Sequence, residues 1–128
     1  MQVSDLTTIL HVDDDEDILE IARMALEMVD SFTLHQCNSG PDALEKIEGV
    51  APQLLLLDVM MPGMTGPDLW AKVKALPGYA ETPTIFMTAK AEDSLSQELL
   101  ETGALAVITK PFDPMTLGAQ IRAAWAKL

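Results

Sequence analysis

The 128 residues predict an α/β fold, a single doubly wound parallel sheet of five strands with five helices. Two observations carry this expectation. Short runs rich in Leu, Ile and Val alternate five times with segments whose apolar residues recur at helical spacing. The central run, Leu54 to Leu57, is apolar at every position, as a strand covered on both faces should be. Strand-then-helix alternation implies right-handed crossovers that put helices on both faces of the sheet.

Taken in order, "TTILHV" (Thr7 to Val12) is the first strand. Ile18, Ile21, Ala22, Ala25, Met28 and Val29 follow at helical spacing and are expected to form one buried face. "FTLHQC" (Phe32 to Cys37) is a second, weaker strand. Ser39 has the character of an N-cap, Pro41 sits in the first turn, and Ala43, Leu44 and Ile47 form a buried stripe that Gly49 is expected to close. After the third strand at Leu54 to Leu57, Pro67 opens a helix carrying Leu69, Val73 and Leu76, which Pro77-Gly78 ends. "TIFMT" (Thr84 to Thr88) is the fourth strand, and Asp93 to Thr102 a thinly apolar helix anchored by Leu95 and Leu99 and stopped by Gly103. "LAVIT" (Leu105 to Thr109) is the fifth strand. Asp113-Pro114 starts a last helix with Leu117, Ile121, Ala124 and Leu128 on one side.

Composition narrows the function. The formal net charge is -12, with eight Lys and Arg against twenty Asp and Glu. Such a surface repels the phosphates of nucleic acid and of anionic membranes, so neither is an expected direct partner; a bound cation or a basic protein face is. Cys37 is the only cysteine, which rules out an internal disulfide and points to a reducing compartment. The opening "MQVSDLTTIL" has no basic stretch leading into a long apolar one, and no apolar run approaches a membrane span. The expectation is one cytoplasmic domain over residues 1–128.

In open parallel sheets, ligands gather beyond the carboxyl ends of the strands. Here those ends carry "DDDED" (Asp13 to Asp17), Asp58, Thr88 and Thr109-Lys110. Folded as above, Asp13, Asp14, Asp58, Thr88 and Lys110 converge on one rim. Three carboxylates in one place repel, and one lysine does not neutralise them. A divalent cation would, and Mg²⁺ is commonly held by one or two carboxylates together with a phosphate. Lys110 adds a point charge, Thr88 a hydroxyl donor, and Asp58 a carboxylate placed to act as nucleophile. That set suits phosphoryl transfer, where positioning and charge neutralisation dominate.

With the acid pair, "LLLLDVMMPGMTG", "MTA" and "TKPF" in this order, the chain resembles a receiver domain of the two-component response regulators, the fold of the chemotaxis response regulator. The resemblance spans essentially the whole chain and implies a flavodoxin-like strand order 2-1-3-4-5. It implies that Asp58 is the phosphoacceptor and that Mg²⁺, or Mn²⁺ in its place, is held by Asp13, Asp14, Asp58 and the Met60 backbone carbonyl, Asp14 being the more direct ligand of the acid pair. Thr88 would bind a phosphoryl oxygen, Lys110 would pair with the phosphoryl group, and Lys110-Pro111 would be cis. The donor would be a phosphohistidine on a sensor histidine kinase or histidine phosphotransfer protein. A face made of the fourth helix, fifth strand and fifth helix would then switch for a downstream output protein or domain, shifting residues 88 to 113. The domain would assist only its own phosphorylation and dephosphorylation rather than act as an enzyme on an outside substrate.

Some positions depart from the family pattern or tune it. Val107 stands three residues before the lysine, where an aromatic is common, so a switch through Thr88 and Val107 would work by repacking rather than by an aromatic swing. Met60 and Lys90, two past Asp58 and Thr88, would border the path of the hydrolysing water. With nothing following Leu128, the chain reads as a stand-alone receiver or a piece of a longer protein.

Asp15, Glu16 and Asp17 read as a solvated helix start. A calcium loop fails because Ile18 stands where its glycine belongs and Met24 where its bidentate Glu belongs. A haloacid-dehalogenase-like phosphatase would need Thr or Val four residues past Asp13, where Asp17 stands. A flavin site would face acids in its phosphate loop. A degenerate, non-phosphorylated docking receiver finds no support in the matched residues. His11, His35, Cys37, Trp70, Trp125 and the eight methionines read as packing.

Overall fold

A computed structural model describes residues 5–90 and 93–128. Residues 1–4 of the opening stretch, and residues 91 and 92 within the expected switch segment, lie outside the described residues. Five parallel strands, β1 (Thr8–Val12), β2 (Thr33–Cys37), β3 (Leu54–Asp58), β4 (Thr84–Thr88) and β5 (Ala106–Thr109), form one sheet in the order β2-β1-β3-β4-β5. The helices are α1 (Glu16–Arg23), continued by a π-helical segment Met24–Val29, then α2 (Gly40–Val50), α3 (Gly66–Lys74), α4 (Ser94–Glu101) and α5 (Leu117–Trp125). The fold class and strand order are those the sequence implies. Among the described residues, no helix is long and apolar enough to cross a membrane.

Strand periodicity divides the core in two. Leu10, Val12, Leu55, Leu57 and Phe86 face α2, α3 and α4; Ile9, Leu54, Leu56, Ile85 and Met87 face α1 and α5. All four leucines of β3 are almost wholly removed from water. Each such burial contributes roughly 1.5–3 kcal/mol, which is why this strand can carry a charge at its end. Trp70 of α3 meets Phe86 of β4 edge-on, ring centroids 5.3 Å apart.

The caps follow local chemistry. Asp15 accepts from the Asp17 amide at 2.9 Å, Ser39 from Asp42, and Asp93 from Ser96 at 2.9 Å, while Thr65 and Asp68 form a reciprocal capping box.

Four expectations are corrected. The buried face of the first helix is Leu19, Ala22, Ala25 and Leu26; Ile21, Met24, Met28 and Val29 are exposed. Two apolar stripes overlap in this sequence, and the wider π turn swings the last residues of one of them outward. Gly49 does not close α2, which runs on to Val50; Ala51 takes the left-handed position, φ 50°. Leu128 lies beyond the end of α5 and is exposed. On α4, Leu99 is buried but Leu95 is not; Ser96 is its second buried residue.

Candidate functional site

The carboxyl ends of the strands bring together the side chains marked by the sequence. Asp13 follows β1 and is wholly buried, Asp58 ends β3 and is nearly so, Thr88 ends β4, and Lys110 follows β5. Lys110 Nζ lies 2.9 Å from Asp13 Oδ2 and donates to Asp58 Oδ1 at 3.0 Å. Asp14 is exposed beside them, and oxygens of Asp13, Asp14 and Asp58 all lie within 4.8 Å of one another.

Two features test whether this donor set fits a cation. Asp13 Oδ1 accepts from the Asp15 amide at 2.9 Å, while among the described residues the buried Oδ2 is met by the Lys110 ammonium as an ion pair and by no hydrogen bond of good geometry. That oxygen shares its ammonium with Asp58, so two buried carboxylates lean on one lysine, and a further positive partner would stabilise both. Asp58 carries the same excess. Burial first, then the Asp13 charge, push its pKa up to about 6 against the opposing pull of Lys110. Burial works against the Lys110 ammonium, yet the Asp13 and Asp58 carboxylates outweigh it and hold its pKa above the usual lysine value. Three carboxylates and one ammonium leave the rim short of positive charge. The residues fit a hard divalent cation with oxygen ligands.

Backbone geometry explains the loop that follows. Gly66 lies against the backbone of Asp58 and Val59, where a Cβ would collide with the Asp58 carbonyl oxygen, and its amide donates to Val59 O at 3.0 Å. Gly63 sits at φ 77°, open to a glycine at little cost. "MMPGMTG" is therefore a tight return that packs directly against the backbone of Asp58. Met60, in this loop, is 72% exposed and lines a cleft of about 580 Å³ above Asp58.

On the other side, Thr88 Oγ1 accepts from the Lys90 amide at 3.3 Å, and Thr88 O accepts from the Lys110 amide at 2.8 Å. The Lys110-Pro111 bond is cis. Val107 is half-buried and paired with Phe86 across β4–β5.

Three contributors escaped the sequence reading. Ser96 is buried in α4 and its hydroxyl donates to Lys90 O at 3.0 Å, holding the loop after Thr88. Gly66 stands beside Pro67 at the helix start, with no local sign of its contact to Asp58. His11, expected to pack, is buried; its Nδ1 is 3.1 Å from Gln36 Nε2, and among the described residues its Nε2 has no hydrogen-bond partner. Burial, with Lys110 nearby, lowers its pKa to about 3, so it stays neutral. A spacing of eight residues between Asp58 and Gly66 was the only available sign of the glycine contact. Nothing local marked Ser96.

A doubly wound sheet of order 2-1-3-4-5 with acids, a hydroxyl and a lysine at its carboxyl rim defines a signalling receiver. The chain belongs to the response regulator receiver domain family, whose pattern it matches over residues 9–122. It is a receiver domain of the two-component response regulators. It is 38% identical over 122 residues to the transcriptional regulatory protein CseB of Streptomyces coelicolor, covering 94% of this chain and 50% of that protein. It is 40% identical over 116 residues to the phosphate regulon transcriptional regulatory protein PhoB of Pseudomonas aeruginosa, covering 91% of this chain and 50% of that protein. The chain thus spans about half the length of these curated relatives. Among solved structures it superposes on the chemotaxis protein CheY4 of Vibrio cholerae with a TM-score of 0.85 at 27% identity, covering 94% of this chain and 99% of that one. A CheY-like response regulator receiver domain protein from Methanospirillum hungatei gives 0.81 at 31% identity, covering 96% of each.

Proposed function

We propose that Asp58 is the phosphoacceptor of this receiver and takes its phosphoryl group from a phosphohistidine on a sensor histidine kinase or histidine phosphotransfer protein. The observation that carries this reading is Asp58 itself: a nearly buried carboxylate at the end of the central strand, 3.0 Å from Lys110 and crowded by Asp13 and Asp14. A Mg²⁺ or Mn²⁺ ion held by Asp13, Asp14, Asp58 and the Met60 backbone carbonyl would neutralise the carboxylates and the incoming phosphoryl oxygens.

The chain's own residues do the rest. The β3 leucines anchor Asp58 so that its oxygen attacks from a fixed position. Lys110 stands between Asp13 and Asp58, ready to follow a phosphoryl oxygen once one arrives. The Thr88 hydroxyl, now accepting from the Lys90 amide, is free to turn and donate to that oxygen. Such a turn releases the Lys90 amide, and Ser96 connects Lys90 to α4. Strain would therefore pass to α4, β5 and α5 by repacking around Val107, the face offered to an output protein or domain.

In this reading the domain is a cytoplasmic switch that turns over no outside substrate, and the unit is residues 1–128. Acetyl phosphate with Mg²⁺ should add one phosphoryl group, seen by intact mass, and Asp58→Asn should abolish the adduct. An adduct that persists in the variant would sink the assignment.

A further inference from the structure

At the opposite end of the sheet from the acidic rim lies a second hollow, of about 380 Å³. It sits among the end of α3, the approach to β4 and the turn from α4 into β5. Its volume falls in the range of small-molecule sites, about 300–1,000 Å³. Nothing in the phosphoacceptor reading uses it.

The polar lining of this hollow holds unspent bonding capacity. Trp70 is only 7% exposed, and a buried indole N–H ordinarily finds an acceptor. This one donates to nothing among the described residues; the ring is engaged only through its faces and edge, by Phe86 and Lys74. Lys74 Nζ stands 3.8 Å from the centroid of the Trp70 ring and forms no ion pair, so its N–H donors are free as well. Glu81 lines the same hollow, exposed and without a cationic partner among the described residues. Pro83 and Leu105 add half-buried apolar wall.

An occupant has to suit a cation beside an indole donor, a carboxylate, and an apolar surface at once. A net anion would satisfy Lys74 and the indole, but Glu81 and a domain of net charge -12 repel it. An organic cation would satisfy Glu81 and be opposed by the Lys74 ammonium. A zwitterion with an aliphatic branch meets all three and brings no net charge.

We propose that this hollow binds a free aliphatic α-amino acid. Its carboxylate accepts from Lys74 Nζ and from the Trp70 indole N–H, its ammonium pairs with Glu81, and its side chain rests on Pro83 and Leu105. The site shares no residue with the rim, so it stands whether or not Asp58 takes a phosphoryl group.

The test is a titration of the ¹⁵N-labelled chain with L-leucine, followed by NMR. The variant Trp125→Phe leaves Trp70 as the single indole, so its N–H signal is unambiguous. Leucine should move that signal saturably. Isocaproate lacks the ammonium and isoamylamine lacks the carboxylate, and each should bind at least about 5-fold more weakly, as expected for one lost charged contact. Glu81→Gln should weaken leucine by a similar factor without weakening isocaproate. Lys74→Met should weaken leucine and isocaproate but not isoamylamine. Both side chains are exposed, so the fold does not depend on them. No saturable shift with leucine, equal binding of the three compounds, or leucine binding unchanged in both variants overturns the proposal.

Discussion

The two ends of β3 make opposite uses of burial. Leu54 to Leu57 are buried among other apolar side chains on both faces of the sheet, and nothing about them opposes the fold. One residue further on, Asp58 is buried as deeply but beside Asp13, so that its charge is raised in energy. Stability is stored in the first four residues and partly given back in the fifth. The difference shows where a switch is affordable: at the end of a strand whose interior holds it rigidly.

The comparison breaks most readily from the leucine side. Leu56→Ala leaves a cavity between β3 and the helices α1 and α5, and should cost about 2–5 kcal/mol in urea unfolding. A loss under about 1 kcal/mol would mean the strand does not anchor Asp58.

Asp58→Asn tests the other end, with the opposite sign. The Asp58 pKa is raised from 3.8 in the unfolded chain to about 6 when folded. The folded state therefore binds the extra proton between these values, and stability falls as pH rises through that window. The penalty is absent below about pH 4 and complete above about pH 6, and amounts to at most about 3 kcal/mol. The Asn variant should be more stable than wild type at pH 7 and lose that advantage by pH 4, measured by unfolding at both. His11 acts in the reverse sense: neutral in the fold with a pKa near 3, it removes stability as pH falls below about 6.5. A Leu at position 11 should flatten that acidic loss.

Mg²⁺ should recover what the rim gives back. At a hundred times its dissociation constant it should add about 2.7 kcal/mol to wild-type stability, and markedly less to Asp13→Asn or Asp58→Asn. Equal stabilisation of all three would place the ion elsewhere. Gly66→Ala should cost about 1–3 kcal/mol and weaken Mg²⁺ binding together, because the new methyl meets the Asp58 backbone rather than a side chain that can move. The smallest effect belongs far from the rim. Ala51→Gly relieves a left-handed backbone at the end of α2 and should raise the melting temperature slightly, about 1 kcal/mol in stability, with phosphorylation unchanged.

Most of this architecture is legible from residue order because strand and helix periods are local properties. Leu54 to Leu57 need no partner to be read as a buried strand, and Ser39, Thr65 and Asp93 cap with groups only a few residues away. The first helix shows where such reading stops. Its apolar residues support two overlapping stripes, and packing against the sheet places Leu19 and Leu26 inward while leaving Ile21 and Met28 in water. At the rim, residue types and their places at strand ends named Asp13, Asp14, Asp58, Thr88 and Lys110. The contacts of Gly66 and Ser96 were out of reach, since each depends on where another segment's backbone passes.

Residue order alone determined the alternation of elements, the aliphatic core and the excess of acid at the strand ends, because hydrophobic period and formal charge are carried by each residue wherever it lies. Only the tertiary structure decided that Lys110 stands between Asp13 and Asp58, that both carboxylates lean on this one ammonium, and that Gly66 lies against the Asp58 backbone. Those are distances between segments far apart in the chain, and a distance of that kind exists only once the sheet has formed.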